Sequence, residues 1–360
     1  MKKLNLKWVS DVIGNEYLQW KKGDVVTIQA QTGTGKSYFC KTKLMESLEL
    51  HQQMLILCNR IYLKRKLKIE LLKNIKKPIP SSVEELDKMY KFGNVIIMSY
   101  QQIEAIRNYN SKVELDFKYI VCDECHYLYS DAAFNNKTDL SFSELVDKEH
   151  ENSIKIFISA TMEEIKPFIN SNWNYNTNRD YSYVNPYYFK RIEDIALTIK
   201  NDISSDKWLV FVSKKKDAEK ICDIIEDTKT YSFIDRNVKD NEDLKEIINN
   251  SKFNSDVLIT TKVLDNGIDI KDAAVKNIVV MALDRVTFLQ ELGRIRIDIN
   301  NPRNINLYMQ ARSKKTFSSL LHDYEKKLKL FKEHNTDYDA FHNKYYDKDF
   351  SKALLKIVCL

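Results

Sequence analysis

The chain has 360 residues, 43% apolar and 30% charged, ordinary globular usage that excludes a disordered tail, a collagen or a coiled coil and suggests about two domains. Its net charge of +6 is weak evidence for a polyanionic partner. No apolar run approaches the roughly 18 residues that span a bilayer. No signal-peptide core follows Met1-Lys2-Lys3, and six cysteines make no disulfide framework, so a cytoplasmic protein without membrane attachment is expected.

Taken in chain order, short β-branched runs alternate with helical stretches. In the first half they are Val25–Gln29, Met54–Cys58, Val95–Ser99, Tyr119–Cys122 and Ile154–Ser159. In the second half they are Trp208–Ser213, Tyr231–Ile234, Val257–Thr260, Asn277–Ala282 and Ile305–Met309. Near-continuous apolar strands separated by helices indicate parallel sheets covered on both faces, an α/β class. The segment Asn170–Pro186 is dense in Asn, Tyr and Asp and breaks this rhythm. The reading is therefore a first domain over 1–175, a linker over 176–186, a second domain over 187–312 and a helical extension over 313–360.

Glycine is scarce: seven in the chain, about 2% against a usual level near 7%. Where glycine persists, the backbone is expected to need it. Two fall in Ala30-Gln31-Thr32-Gly33-Thr34-Gly35-Lys36-Ser37, between a strand and a helix. This is the setting of a phosphate-binding loop, although the usual first Gly is Ala30 here. The backbone at Gly33, Thr34 and Gly35 can wrap an anion, Lys36 can reach the β- and γ-phosphates of ATP, and the Ser37 hydroxyl can ligate Mg²⁺. Further on, Tyr119–Cys122 runs into Asp123-Glu124-Cys125-His126. Two carboxylates at the C-terminal end of a parallel strand lie where such sheets bind ligands. Asp123 suits Mg²⁺, and Glu124 suits a general base toward water. Cys122 and Cys125 form a lone pair without further ligands, so no metal cluster is expected.

With these residues in place, the chain resembles the superfamily 2 helicases of the DEAD/DEAH-box type over about residues 20–312. Ala30–Ser37 resembles motif I, Asp123–His126 motif II (here DECH) and Ser159-Ala160-Thr161 motif III. Arg60, Ser99-Tyr100-Gln101 and Phe211-Val212-Ser213 resemble motifs Ia, Ib and IV. Thr261 with Asp265–Asp269 resembles motif V, and Gln290–Arg294 resembles motif VI. The resemblance implies two RecA-like domains, ATP and Mg²⁺ in the cleft between them, and single-stranded DNA or RNA crossing both. It implies catalytic roles for Lys36, Asp123, Glu124, Gln290 and Arg294, and nucleotide contacts from Gly267, Asp269 and Arg296. His126, Ser159 and Thr161 would couple the ATP site to the domain interface. Arg60, Tyr100, Gln101, Ser213 and Thr261 would touch nucleic acid; a buried structural Tyr100 is a nearly equal alternative.

Motif VI departs from the pattern. The family's second arginine position is Ile297 here, and Arg296 stands one short. On a helix, one residue is about 100° of rotation, which turns Arg296 away. Arg294 is therefore the preferred arginine finger, with Arg296 and Arg285 as fallbacks. No upstream glutamine segment marks the adenine site; Gln19 lacks that setting. Residues 60–77 hold eight basic residues and one acid, a pattern that fits phosphate contacts and equally a solvated helix. The apolar end Ala353–Leu360 is expected to dock on the second domain or to present a surface to a protein partner. The function expected is an ATP-driven helicase or translocase. The alternative is a nucleic-acid-binding ATP switch, or an ATPase subunit of a larger phage- or plasmid-related complex, with little activity alone.

Overall fold

The structure, a computed structural model, describes residues 3–59, 61–109, 115–133, 135, 137–235, 238, 241–261 and 269–345. Two sheets follow each other along the chain. The first contains β1 (Val25–Gln29), β2 (Met54–Leu57), β3 (Lys91–Phe92), β4 (Val95–Met98), β5 (Tyr119–Asp123), β6 (Ile154–Ser159) and β7 (Trp173–Asn176). Their order is β3-β4-β2-β5-β6-β1-β7, and only β3 runs antiparallel. The second contains β8 (Val184–Phe189), β9 (Lys207–Phe211), β10 (Tyr231–Ile234), β11 (Val257–Thr260), β12 (Val275–Val280) and β13 (Ile305–Gln310). Its order is β10-β11-β9-β12-β13-β8, all parallel.

Burial on both faces explains why central strands such as β2 and β9 carry apolar residues on both faces. In β2, Met54 and Ile56 enter one core, while Leu55 and Leu57 enter the core on the opposite face. In the second sheet, Leu209 and Phe211 face one core and Trp208 and Val210 the other. Each strand therefore serves two helical layers.

All ten expected strands are present. Of the segment 176–186, Asn176 belongs to β7 and Val184–Pro186 to β8. β7 pairs with β1 and β8 with β13, so each closes an edge of a different sheet. Edge position accounts for their polar sequences: one face of Trp173–Asn176 stays open, and Pro186 needs no ladder partner on the outer side. The connector between the sheets is thus 177–183. Two helices, Lys314–Thr336 and Tyr338–Tyr345, follow β13. Ala353–Leu360 lies outside the described residues. No described helix is long and apolar enough to cross a membrane.

The N-terminal residues form a strap between the halves. Leu4 is buried in the core of the second sheet. The Asn5 N–H donates to Asp180 (2.6 Å), and the Val9 N–H donates to the Thr34 carbonyl in the loop after β1 (2.9 Å).

Candidate active site in the cleft between the sheets

A cleft of about 1210 Å³ lies between the two halves, with Lys36, Asp123 and Glu124 on one wall and Gln290, Arg294 and Arg296 on the other. The first wall is built by strand register. Gln29 pairs with Ser159, and Asp123 with Ile158, so the loops after β1, β5 and β6 leave the sheet at one level. That is the carboxyl edge, where open parallel sheets hold ligands.

The loop after β1 holds Gly33 and Gly35 at φ values of +89° and +83°, which only glycine adopts without strain. Lys36 begins the next helix. Its buried Nζ donates to the Ala30 carbonyl (2.9 Å), curling the loop around it. Burial lowers the Lys36 pKa, against the pull of Glu124 and Asp123. Ser37 follows and lines the cleft. Gln31 ties the loop to the interdomain connector: its Oε1 accepts the Asp180 N–H (2.9 Å) and its Nε2 donates to the Asp180 carbonyl (3.2 Å).

Asp123 ends β5, and Glu124 sits at φ +49°, a strained left-handed conformation for a non-glycine residue. Burial and the neighbouring Glu124 push Asp123 up to about 7. Burial alone would raise Glu124 too, but Lys36, His126 and Arg294 hold it below the usual carboxylate range. His126 Nδ1 lies 2.9 Å from Ser159 Oγ and 3.3 Å from Glu124 Oε2. Ser159 Oγ donates to Glu124 (3.3 Å) and accepts the Thr161 N–H (3.0 Å). One hydrogen-bonded group therefore joins Glu124, His126, Ser159 and Thr161. The nearby thiols of Cys122 and Cys125 are buried in an apolar cluster, and burial pushes Cys122 up to about 12.

The second wall carries the main geometric surprise. The helix Arg285–Leu292 ends at Gly293; Arg294 lies in the turn that follows, and Ile295 sits in an isolated parallel bridge. The Ile270 N–H donates to the Arg294 carbonyl and the Arg296 N–H donates to the Ile270 carbonyl, a parallel bridge (2.8 Å each). Arg294 and Arg296 both line the cleft, while Ile295 enters the core. The helical rotation expected to turn Arg296 away does not apply. Arg296 Nε donates to Asp269 (2.8 Å), and a Cβ added to Gly33 would lie 3.8 Å from its Nη1. Asp269 also pairs with Lys66 of the first half (2.5 Å). Burial alone would raise Asp269, but Arg296 and Lys66 hold it far below its usual value.

Arg294 Nη2 donates to Gln290 Oε1 (2.7 Å), and Gln290 Nε2 donates to Glu124 Oε2 (3.3 Å). A hydrogen-bonded path thus crosses the cleft to the acidic pair. Gly293 is packed against the loop after β1: a Cβ there would lie 2.8 Å from Thr32 Oγ1. Arg285, a fallback finger, instead pairs with Glu163 of the first half (2.8 Å), which also binds Arg179 of the connector (2.7 Å).

The expected nucleic-acid contacts are less uniform. Tyr100 is fully buried, stacks on Tyr127 with centroids 4.7 Å apart, and donates to the Asp123 carbonyl (2.9 Å). It supports the acidic pair and cannot stack on a base. Gln101 is exposed. Ser213 is exposed at the carboxyl end of β9, and Thr261 is half-buried beyond adjacent β11. Arg60 and Gly267 lie outside the described residues. In the basic segment, Arg65 pairs with Asp87, Lys66 with Asp269, and buried Lys68 donates to the Leu86 and Asp87 carbonyls. At least three of its seven described cations therefore have structural partners.

Sequence reasoning missed Trp8. It lines the cleft, and a Cβ on Gly35 would lie 3.1 Å from its ring. Nothing in the local sequence links it to a loop 25 residues away; only the strap does.

Two tandem parallel sheets with a phosphate loop, an acidic pair and facing arginines define a two-domain P-loop motor. The family model described as "Type III restriction enzyme, res subunit" matches residues 5–164, and "Helicase conserved C-terminal domain" matches 189–298. The chain belongs to the superfamily 2 helicases, a class of ATP-dependent nucleic-acid motors. Two structures of S. cerevisiae Dbp5 bound to RNA and ADP-BeF3, one a point variant, are similar with TM-scores of 0.59 at 18% and 19% identity. They cover 93% and 83% of this chain and 88% and 82% of their own. The Escherichia coli DEAH/RHA helicase HrpB is similar with a TM-score of 0.58 at 13% identity, over 86% of this chain and 43% of HrpB. These likenesses establish the shared fold. No curated protein matches the sequence.

Proposed function

We propose that this motor hydrolyses ATP in the cleft, stimulated by single-stranded RNA or DNA, and couples turnover to translocation or to remodelling of duplex junctions. The observation that carries this reading is the path Arg294–Gln290–Glu124, which joins the two walls through side chains suited to phosphoryl transfer. The residues fit an anionic nucleotide. Arg296 Nη1 is buried with no hydrogen-bond partner among the described residues and lies beside Gly33.

The backbone at Gly33, Thr34 and Gly35 cradles phosphate, and Lys36 leaves the Ala30 carbonyl to neutralise it. Ser37 and Asp123 are the residues that would hold Mg²⁺. The bound ion would supply charge neutralisation between the phosphates. Glu124 takes the proton of the attacking water, oriented by its contacts to His126, Ser159 and Gln290. Arg294 and Arg296 bring positive charge from the second half as charge develops on the transferring group. Ser159 and Thr161 link that event to the domain interface. Gln101, Ser213 and Thr261, at carboxyl ends of both sheets, contact the nucleic-acid strand.

The test is steady-state hydrolysis by the purified chain, alone and with single-stranded RNA or DNA. Severalfold stimulation by one polymer identifies the track. Lys36→Ala should lower turnover about 100-fold or more, and Glu124→Gln should bind ATP while losing a similar factor. Wild-type turnover in Lys36→Ala would remove the assigned site.

A further inference from the structure

The helix Lys314–Thr336 has two stripes. Leu330 is buried, as is Phe341 of the following helix. A second stripe is more than half exposed, and of its members only Leu328 lines the space beside Ala340 and Phe341 of the following helix. Phe317, Leu321, Tyr324 and Leu328 are 56%, 59%, 58% and 52% exposed. Their spacing of four, three and four residues keeps them within an arc of about 60° over three turns, the pattern of a helix-pairing seam. Four large apolar side chains in a row differ from the scattered exposure normal at a surface.

The border of the stripe decides its occupant. Lys314 and Lys332 flank one side with Glu325, and Lys327 flanks the other, its ammonium over the Tyr324 ring at 5.5 Å. Across the whole helix six lysines face three acids. A second copy of the chain in parallel would bring Lys327 against Lys332. A nucleic acid would set phosphates on Lys327 and Lys332 but leave Leu321 and Leu328 against a polyanion. An acidic amphipathic helix satisfies both the apolar centre and the basic border.

We propose that this stripe docks an acidic amphipathic helix of another protein. The position gives the docking a consequence. Tyr324 and Lys327 also line the cleft that holds Lys36, Asp123 and Arg285. A helix seated on the stripe stands at the mouth of that cleft and changes how readily the two walls separate. This second clause rests on the ATPase reading above; the docking itself does not.

The probe is a fluorescein-labelled 21-residue peptide with Leu at heptad positions a and d and Glu at e and g, measured by anisotropy against the full chain. A matched peptide carries Lys in place of Glu. The acidic peptide should bind in the micromolar range, at least about tenfold tighter than the basic one, and should weaken as salt rises. Leu321→Asp with Leu328→Asp should cost about tenfold or more in affinity, with the melting temperature unchanged because both sites are exposed. Equal binding of the two peptides, or binding indifferent to the double substitution, overturns the docking. So does a dimer in light scattering, or RNA affinity, that the same double substitution abolishes. ATP hydrolysis unchanged at saturating peptide overturns the link to the cleft and leaves the docking standing.

Discussion

Arg296 shows how a single side chain depends on backbone that lies beyond it. Counted along a helix, it turns away from the cleft. Its placement follows from the end of the helix at Leu292 and the bridge of Ile295 to Ile270, which sends Ile295 into the core and leaves Arg294 and Arg296 lining the cleft. We expect Arg296→Ala to reduce kcat for ATP by about 100-fold or more, comparable with Arg294→Ala, while affinity for single-stranded nucleic acid changes by less than about threefold. Full turnover in Arg296→Ala would return the role to Arg294 alone. The signal was present in the sequence, since a Gly directly after a helical run marks a helix end. The Tyr100 assignment failed for a different reason. A tyrosine after a strand fits a stacking platform and a buried support equally well, and only the partner Tyr127 decides between them.

At the scale of elements, the phosphate loop, the acidic pair and the strands that carry them were legible because each is local. An apolar run buried on both faces ends in a polar turn, and the chemistry sits in that turn. β7 and β8 were not legible. Their residues are polar because each faces solvent on one edge, and pairing across more than 100 residues of sequence leaves no local trace. Trp8 was hidden for the same reason. Gly293 packs against Thr32 across the two halves, a contact that a mutation can probe. Gly293→Ala places a Cβ 2.8 Å from Thr32 Oγ1 and 3.1 Å from the Leu289 carbonyl. It should raise KM for ATP and lower kcat together, by about tenfold, because the walls no longer meet. Thr32→Ala in the same chain should restore part of the loss, which a double-mutant cycle reads directly.

At the scale of the whole molecule, two charge clusters among the described residues join the halves: Lys66–Asp269–Arg296 and Arg179–Glu163–Arg285. The second is partly exposed, so salt should loosen it. Raising salt from about 50 to about 300 mM should lower kcat/KM for ATP even at saturating nucleic acid, and Glu163→Gln should flatten that dependence. The pH response should differ. Partial burial would raise Glu163, but a backbone N–H, Arg179 and Arg285 overcome it and lower it to about 2. A depressed carboxylate stabilises the joined state above its free value of about 4.3 and loses that contribution only as pH falls toward 2. Between about pH 5 and 9 the Glu163 contribution should therefore be constant. A step near neutrality that disappears in Glu163→Gln would contradict this.

The strap from Leu4 to Val9 also makes the molecule mechanically doubly connected. The connector 177–183 is one route for force between the halves. The strap is the other, seated in the second core at Leu4 and tied to the phosphate loop at Val9. A bead or surface tether attached ahead of Leu4 would load the second half first and draw across the phosphate loop. A motor held that way would do its work against its own anchorage, so force measured through an N-terminal handle would include the stiffness of the strap.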